Sequence, residues 1–325
     1  MEHRALAVAL ALTILLLSPS TAKAAPQYGS SFSLFHDGTA PVGVAFDGSG
    51  TVYWANYDQG KLYSLTRGSS TPTALLSGLS RPSGVALDSS GDLYYSEQQG
   101  GTVSEILAGS STPTLLFLAT LPSFITVDQA GDVFYVGAGC NGQGFTNSIM
   151  EFVRSSGHTM TVLAPIGAVG NNPSYGQVFV NAAGLYFTTC TGDVELLPTG
   201  SSTPVVLVTG LQAGPTVSSD GVVADSQGNV FFTDYWNAVD ELPAGSTSFV
   251  TIATAGGTHY GLALDGQENV YYTDNLGGTI WEIPVLPSAN NVPEFGASAI
   301  VVGAVGLVLV AFLYQRKPRL RVATD

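Results

Sequence analysis

A short pattern that returns six times along the chain limits its possible folds more than any other feature. Each copy has an apolar run, an Asp or Asn, a turn, and a second run that is rich in aromatic residues, as in residues 43–54. Both runs alternate as short strands do, and the residues between them favour a tight turn. The copies are marked by Asp47, Asp88, Asp128, Asn181, Asp225 and Asp265, with intervals of 41, 40, 53, 44 and 40 residues.

Two further strands follow each of these copies. The third strand is seen at residues 103–107 and 280–283, for example, and a turn then leads to a short apolar run such as 73–76. A repeat of this length with four strands is typical of a propeller blade, so six units predict an all-β, six-bladed β-propeller. The sixth unit lacks a fourth strand. Residues 32–35 align with 73–76, and we therefore predict that an N-terminal strand closes the ring.

The first two units begin with Pro-x-Gly-Val-Ala-x-Asp, at Pro41 and at Pro82. This start resembles the repeats of the NHL family of β-propellers, and the resemblance covers roughly residues 30 to 287. It implies the same six-bladed fold. Because such propellers include both binding proteins and enzymes, the resemblance does not imply one activity.

The two ends of the chain predict export and anchoring. Residues 1–24 have a basic start, an apolar run and a small-residue cleavage site, as secretory signal peptides do. After the propeller domain, predicted over 26–287, we expect a linker, a transmembrane helix and a basic cytoplasmic tail. A buried core helix is the alternative for the apolar segment. The boundaries of these last three segments are 288–296, 297–314 and 315–325.

The linker contains Pro-Glu-Phe-Gly at positions 293–296, directly before the apolar run. The order of this motif, a hydrophobic helix and a basic tail resembles the PEF-type (PEFG) C-terminal sorting signals of archaeal surface proteins. The resemblance implies that a membrane transpeptidase cuts near the motif and attaches the protein to a lipid. Whether the helix is retained or exchanged for a lipid, we expect the propeller at the cell surface, facing outwards.

The part of the chain between these ends is strongly acidic, and the whole chain has a net charge of −14. A negative field repels phosphate groups, so we expect no nucleic-acid partner. The acidity either attracts cations and basic partners or keeps a monomeric surface domain soluble. The only basic side chains over 26–290 are Lys61, Arg67, Arg81 and Arg154.

Candidate binding residues lie where the second strand of a unit ends. The loops that follow these strands, and those that enter the first strands, open on one face of such a propeller. In the third unit they are longer by about a dozen residues, through 137–144 and 164–175, and loops often carry specificity. Carboxylate and amide oxygens at these places suit a ligand or a calcium ion. The candidate ligand-binding residues are Asn56, Glu97, Asp234 and Asp274.

The only two cysteines, Cys140 and Cys190, fall in such loops of the third and fourth units. In an exported protein, a lone pair placed in this way predicts a disulfide bond between neighbouring loops. Free thiols are the alternative. A metal site would need more ligands of this kind nearby, and the sequence places none there.

Two resemblances point to an enzyme instead. The Ser219-Asp220-Gly221 step resembles the Asp-Gly at the metal site of calcium-dependent lactonase propellers, the gluconolactonase and regucalcin relatives. That family's glutamate near the first blade and its asparagine step have no match here, and a turn cap is the other interpretation of Asp220. A propeller lyase that acts on cyclic peptides uses histidine and glutamate at this face, which makes His259 with Glu97 a second candidate set.

The sequence favours a binding or structural module of the cell envelope. In this hypothesis a rigid acidic loop face meets an extracellular protein or small ligand, the membrane is reached through the C-terminal anchor, and no cofactor is needed. The alternative is a calcium-dependent, lactonase-like hydrolase or a propeller lyase. Its catalytic candidates are Asp220, His259 and Glu97, with Asp220 as the calcium ligand.

Overall fold

The computed structural model describes residues 26–36, 38–137, 148–163, 175–189, 192–211, 221–234, 238–254 and 259–286, together with 299–300 and 311–312. The chain divides into two units, of which Gln27–Leu286 is one and the two termini form the other. Within the predicted span 297–314, Ala299–Ile300 and Ala311–Phe312 are short strands that pair antiparallel. The predicted signal peptide, the sorting motif and the rest of the span lie outside the described residues.

No helix in the described part of the chain is long and apolar enough to cross a bilayer. The transmembrane anchor therefore stays a prediction.

The unit Gln27–Leu286 forms six four-stranded antiparallel sheets among its described residues. The predicted six-bladed β-propeller is thus confirmed. The innermost strands of blades one to six are β3 (Pro41–Phe46), β7 (Pro82–Leu87), β11 (Pro122–Val127), β15 (Tyr175–Asn181), β19 (Val222–Ala224) and β23 (His259–Leu264). The second strands are β4 (Val52–Asn56), β8 (Leu93–Glu97), β12 (Val133–Gly137), β16 (Gly184–Thr189), β20 (Val230–Thr233) and β24 (Val270–Asp274).

The outer half of each blade holds two more strands. The third strands are β5 (Lys61–Leu65), β9 (Thr102–Ile106), β13 (Ser148–Val153), β17 (Val194–Pro198), β21 (Ala238–Leu242) and β25 (Thr279–Ile283). The outermost strands are β6 (Thr73–Ser77), β10 (Pro113–Leu118), β14 (His158–Leu163), β18 (Val205–Val208), β22 (Val250–Thr254) and, in blade six, β2 (Phe32–His36). Beside blade six, β1 (Gln27–Tyr28) pairs with β26 (Val285–Leu286).

The N-terminal strand closes the ring, as predicted. Strand β2 pairs antiparallel with β25, so that Phe32 lies opposite Glu282 and His36 lies opposite Thr279. It shows the same burial pattern as β6 of blade one, which is the strand that its sequence aligned with. The sixth sheet therefore joins residues from both ends of the ring, and no edge of its third strand is left open.

Aromatic rings pack between neighbouring blades. Phe46 of blade one stacks on Tyr271 of blade six, with their ring centroids 3.7 Å apart. Trp54, which is only 1% exposed, contacts Phe35 of the closing strand at 5.3 Å. The apolar core of the ring thus lies between neighbouring sheets. It includes the junction of blades six and one, where the two ends of the propeller meet.

The repeated aspartates hold the turn between the first and second strands. The Asp47 carboxylate accepts hydrogen bonds from the backbone N–H groups of Ser49 and Thr51, at 2.8 and 2.9 Å. Burial opposes ionisation, but these bonds and those of the Ser49 and Tyr53 hydroxyls keep the pKa of Asp47 below its ordinary value. The same backbone bonds recur at Asp88, Asp128, Asp225 and Asp265.

Two arginines tie neighbouring blades together. Arg154 follows β13 of blade three and donates two hydrogen bonds to Glu105 of blade two, at 2.7 and 3.1 Å. A third bond, of 3.1 Å, reaches the hydroxyl of Tyr94. Arg67 holds the equivalent position after β5 of blade one, and its guanidinium lies 3.6 Å from the carboxylate of Glu282 in blade six.

One aligned position of the innermost strands is glycine in four blades, but it is phenylalanine in blade three and glutamine in blade four. A Cβ atom added at Gly43, Gly84 or Gly261 would lie 2.4 to 2.6 Å from a carbonyl oxygen of the next innermost strand, so those strands approach too closely for a side chain. Blades three and four carry larger residues at this position. The aligned positions of blades one to six are Gly43, Gly84, Phe124, Gln177, Gly221 and Gly261.

Gln177 joins three blades at the centre of the ring. Its side-chain oxygen accepts hydrogen bonds from the N–H groups of Val222 in blade five and Leu262 in blade six, both at 3.1 Å. Its amide nitrogen donates to the Leu262 carbonyl, also at 3.1 Å. A side chain of blade four that bonds to blade six must cross near the axis. Gln177 is only 8% exposed, so protein groups fill the axis at this level.

Candidate functional site

The face predicted to carry the site holds the loops that join second to third strands. Asn56, Glu97 and Asp274 are the last residues of their second strands, and Asp234 directly follows β20. The structure therefore places these four side chains at equivalent points of four blades. We call this side of the ring the loop face, and the side with the repeated aspartates the turn face.

Three of these side chains hold the turn of their own blade. Asn56, Asp234 and Asp274 each accept a hydrogen bond from a backbone N–H three or four residues further along, at 2.8 to 3.0 Å. Thr189 does the same in blade four, at 3.0 Å. Asn56 and Asp274 are also buried, at 0% and 3% exposure. A side-chain acceptor at this position therefore serves the fold of most blades.

Glu97 connects two loops of the loop face. Its carboxylate accepts a hydrogen bond of 2.6 Å from the N–H of Ser80, which lies in the loop that enters blade two. It accepts a second bond of 3.1 Å from the hydroxyl of Thr102. Both oxygens are thus used within blade two. Ligand binding by Glu97 or by the three turn-holding residues stays a prediction.

Of the catalytic candidates in the described part of the chain, only His259 lies in a row of polar residues across blade six. His259 lies opposite Asp274, Asp274 lies opposite Thr279, and Thr279 lies opposite His36 across the four strands of blade six. The Thr279 hydroxyl is 2.8 Å from the His36 ring nitrogen Nδ1. With about 4.8 Å between strands, His36 and His259 stand about three strand spacings apart, so they are not direct neighbours. Glu97 is two blades away from His259.

Several predicted residues lie outside the described part of the chain. These are the metal candidate Asp220, the predicted disulfide pair Cys140 and Cys190, and most of the long loops of blade three. Of His259 only the backbone is described. Within the described residues no three His, Cys, Asp or Glu side chains come together in a way that could hold a metal ion.

One buried carboxylate lies near the loop face without full hydrogen bonding. Asp240 in β21 is 1% exposed, and among the described residues its Oδ2 atom has no hydrogen-bond partner. Burial raises its pKa from 3.8 to about 6, although the bond from the Thr251 hydroxyl lowers it, and the nearby Asp234 carboxylate raises it further. Ionisation of the Asp240 carboxyl group at neutral pH therefore lowers the stability of the folded protein.

Asp240→Asn should stabilise the protein at neutral pH. Because folded Asp240 binds its proton more tightly than unfolded Asp240, its contribution to stability is present below about pH 4 and is lost as the pH rises through about 6. We expect the free energy of unfolding of Asp240→Asn to exceed that of the parent by about 2 kcal/mol at pH 7. At pH 3.5 the two should be equal. Urea unfolding at both pH values measures the difference, with the exposed Asp58→Asn as the control, and an equal gain at both pH values would contradict the assignment.

A cavity of about 560 Å³ opens on the turn face, between blades three and four. Its walls include Asp128 and Phe134 of blade three and Leu197 and Thr199 of blade four. A volume of this size is typical of pockets for small ligands. The sequence did not predict this cavity, because the candidate residues that it indicates are all expected on the loop face. A visible signal was Thr199, which stands where blades one and three have Arg67 and Arg154.

Comparison with known proteins establishes the fold. No protein-family model matches the sequence, and no curated protein matches it in sequence. The chain is similar in structure to a gluconolactonase from Xanthomonas campestris, with 13% identity, a TM-score of 0.62, and coverage of 79% of this chain and 89% of that one. It is also similar to virginiamycin B lyase from Staphylococcus aureus, with 14% identity, a TM-score of 0.56, and coverage of 80% and 100%.

A third similar structure is a nidogen/laminin complex, with 19% identity, a TM-score of 0.59, and coverage of 70% of this chain and 85% of that chain. Two of these three structures are named for enzymes, and the third is a protein–protein complex. At such low identities they share the six-bladed propeller fold with this chain, and the fold by itself does not define an activity.

Proposed function

We propose that the protein is a binding module of the cell envelope, whose loop face meets an extracellular protein or small ligand. The observation that carries the proposal is the use of the loop-face carboxylates. Glu97, Asp234 and Asp274 accept backbone hydrogen bonds within their own blades, so they hold loops in place. A general acid or base would instead need to point at a substrate. Loops that a rigid scaffold holds in position often carry binding residues.

The ends of the sequence support the place of action. A signal peptide over 1–24, a Pro-Glu-Phe-Gly motif and a membrane anchor over 297–314 would export the propeller and hold it at the cell surface. The acidic ring would then face the outside, where it favours cations and basic partners and disfavours nucleic acids. Retention of the helix and its exchange for a lipid are equally compatible with this role.

A metal-dependent hydrolase is the second candidate. The Ser219-Asp220-Gly221 step and the structural similarity to a gluconolactonase favour it. In this hypothesis Asp220 would help to hold a calcium ion in the ring. Gln177 and its bonds to blades five and six lie in the innermost strands next to this step, and they leave less room on the axis for an ion. We therefore favour the binding role.

Calcium dependence distinguishes the two candidates. A calcium site that is saturated a hundredfold above its Kd would raise the free energy of unfolding by about 2.7 kcal/mol. For a binding module without calcium, we expect the melting temperature of the full-length chain to be the same in millimolar calcium and in a chelator. We also expect no hydrolysis of lactones by the parent or by Asp220→Ala.

The exposed Asp58→Ala is the matched control for non-specific binding of calcium to an acidic surface. A calcium-dependent rise in melting temperature that persists in Asp58→Ala and disappears in Asp220→Ala would reject the binding module and support the hydrolase. Lactonase activity that is lost in Asp220→Ala alone would have the same meaning.

A further inference from the structure

The blades repeat a three-residue acceptor site at the junction with the next blade. It consists of the turn aspartate, an aromatic residue of the second strand and a glutamate of the third strand. In blade two this site receives the Arg154 side chain of blade three, and in blade six it receives Arg67 of blade one. The two sets of acceptor residues are Asp88, Tyr94 and Glu105, and Asp265, Tyr271 and Glu282.

Another residue fills the same site in blade five. The Tyr28 ring packs edge-to-face on Phe231, with centroids 6.1 Å apart. Burial and the nearby carboxylates of Glu241 and Asp225 raise the pKa of its hydroxyl. Tyr28 therefore lies over the same three kinds of residue that surround Arg154. The N-terminal segment supplies this side chain, as it supplies the closing strand.

At two junctions the site lacks its glutamate, and the neighbouring blade lacks its arginine. Blade one has Ser64 in the glutamate position, and Ala108 of blade two stands in the position of Arg154. Blade four has Leu196, and Ala244 of blade five faces it. Blades two, five and six have a glutamate at this position, and in each of them another side chain fills the site.

Blade three is the exception. It has Asp128, Phe134 and Glu151, but Thr199 of blade four stands where an arginine would fill the site. The Glu151 carboxylate has no hydrogen bond or ion pair with another described residue. Burial, together with the nearby carboxylates of Asp132 and Asp128, raises its pKa. Phe134 also has no hydroxyl to donate to Asp128, whereas Tyr94 donates to Asp88.

The space at this junction is large. Beside Arg67, at the junction of blades six and one, a remaining cavity lined by Arg67, Tyr271 and Glu282 has a volume of about 10 Å³. At the junction of blades three and four, the cavity lined by Phe134 and Thr199 measures about 560 Å³. The replacement of a long arginine by a threonine accounts for part of this difference, and the larger cavity also extends to the turn of blade two.

We propose that the cleft between blades three and four binds the side chain of an arginine that belongs to another polypeptide. Glu151 lies directly opposite Phe134 in the sheet of blade three, so the two side chains share one face of that sheet, and Phe134 lines the cavity. The guanidinium would pair with Glu151 as Arg154 pairs with Glu105, and it would lie against the ring of Phe134. The apolar stem would contact Leu185 and Leu197, which line the same cavity. Guanidinium is the group that suits such a site, since it forms two parallel bonds to a carboxylate and stacks on aromatic rings.

A metal ion fits this cleft less well. Metal sites of hard cations use six or more oxygen ligands, and the described residues bring no three acidic or histidine side chains together around one point. A planar cation with an apolar stem instead matches both the carboxylate and the apolar wall. The cleft lies on the turn face, so this site is independent of the loop-face role proposed above.

Peptide titration of the full-length chain tests the proposal. The probe is the capped tripeptide Gly-Arg-Gly, and its control contains citrulline, which has the shape of arginine without its charge. Isothermal titration should show saturable one-to-one binding of the arginine peptide and none of the citrulline peptide. Glu151→Gln should weaken binding about tenfold, whereas Glu195→Gln, which removes a half-buried glutamate of blade four outside the cleft, should not.

A second variant tests the same site without a ligand. Thr199→Arg should supply the missing guanidinium from within the chain, so that it blocks the peptide and raises the melting temperature by about 2 °C or more. The rise should disappear when Glu151→Gln is added. Equal binding of both peptides, equal losses in Glu151→Gln and Glu195→Gln, or a Thr199→Arg protein that still binds the peptide would each overturn the proposal.

Discussion

Deletion of residues 26–38 should abolish the cooperative unfolding transition of the ring and send much of the protein into aggregates. The deletion removes β2, whose pairing with β25 completes blade six. It also removes Leu34 and Phe35 from the core around Trp54. Each large apolar side chain contributes about 1.5 to 3 kcal/mol when fully buried, and a domain is stable by only about 5 to 15 kcal/mol. The exposed edge of β25 would then be free to pair with another molecule.

Thermal unfolding with light scattering measures both effects, and two point variants refine the test. Phe35→Ala should lower the free energy of unfolding by about 2 to 3 kcal/mol, because the ring contacts Trp54. Phe32→Ala is the matched control in the same strand, where the side chain is 46% exposed, and it should change stability by about 0.5 kcal/mol or less. A deletion protein that melts like the parent would show that the ring does not depend on this strand.

Gln177→Ala should destabilise the ring by about 4 kcal/mol. The substitution leaves the N–H groups of Val222 and Leu262 and the Leu262 carbonyl without their partner. Each buried polar group left unpaired costs about 1 to 3 kcal/mol, and the loss of the side chain adds a cavity term. The three blades that Gln177 connects would then be held by their sheets and apolar contacts alone.

Urea unfolding measures this loss, with Gln227→Ala as the control. Gln227 is an exposed glutamine of blade five that donates a hydrogen bond of 2.8 Å to Glu268 in the neighbouring turn of blade six, so its loss should cost about 0.5 kcal/mol or less. Equal effects of the two substitutions would mean that the bonds at the axis add no more than a surface bond does.

The fold could be predicted because the sequence repeats the pattern of one blade six times. Six copies of one pattern gave independent evidence for each strand, and the turn aspartates marked the register. The missing fourth strand of blade six was found from the alignment of residues 32–35 with 73–76, and the structure has β2 at Phe32–His36. Strand alternation and turn chemistry are local properties. They can therefore be recognised in a short stretch of sequence, without knowledge of its contacts with the rest of the chain.

The roles of single polar residues were harder to predict. Asn56, Asp234 and Asp274 have the composition of a binding site, but each bonds to its own turn, and that choice depends on the turn geometry. Gln177 bonds to Leu262, which is 85 residues away. The sequence does mark Gln177 as unusual, because the aligned position is glycine in four of the other five blades. The direction and partners of its side chain needed the arrangement of three blades.

The closing strand also sets the order in which the ring can be completed. His36 in β2 contacts Thr279 in β25, and 243 residues separate them along the chain. Contacts of such long range form slowly, because a long loop must be closed before any of them is made. During synthesis β2 is made before any other strand of the six blades, and its partner strand β25 is the last of them. Strand β2 therefore lacks its partner strand until almost all of the propeller has been synthesised.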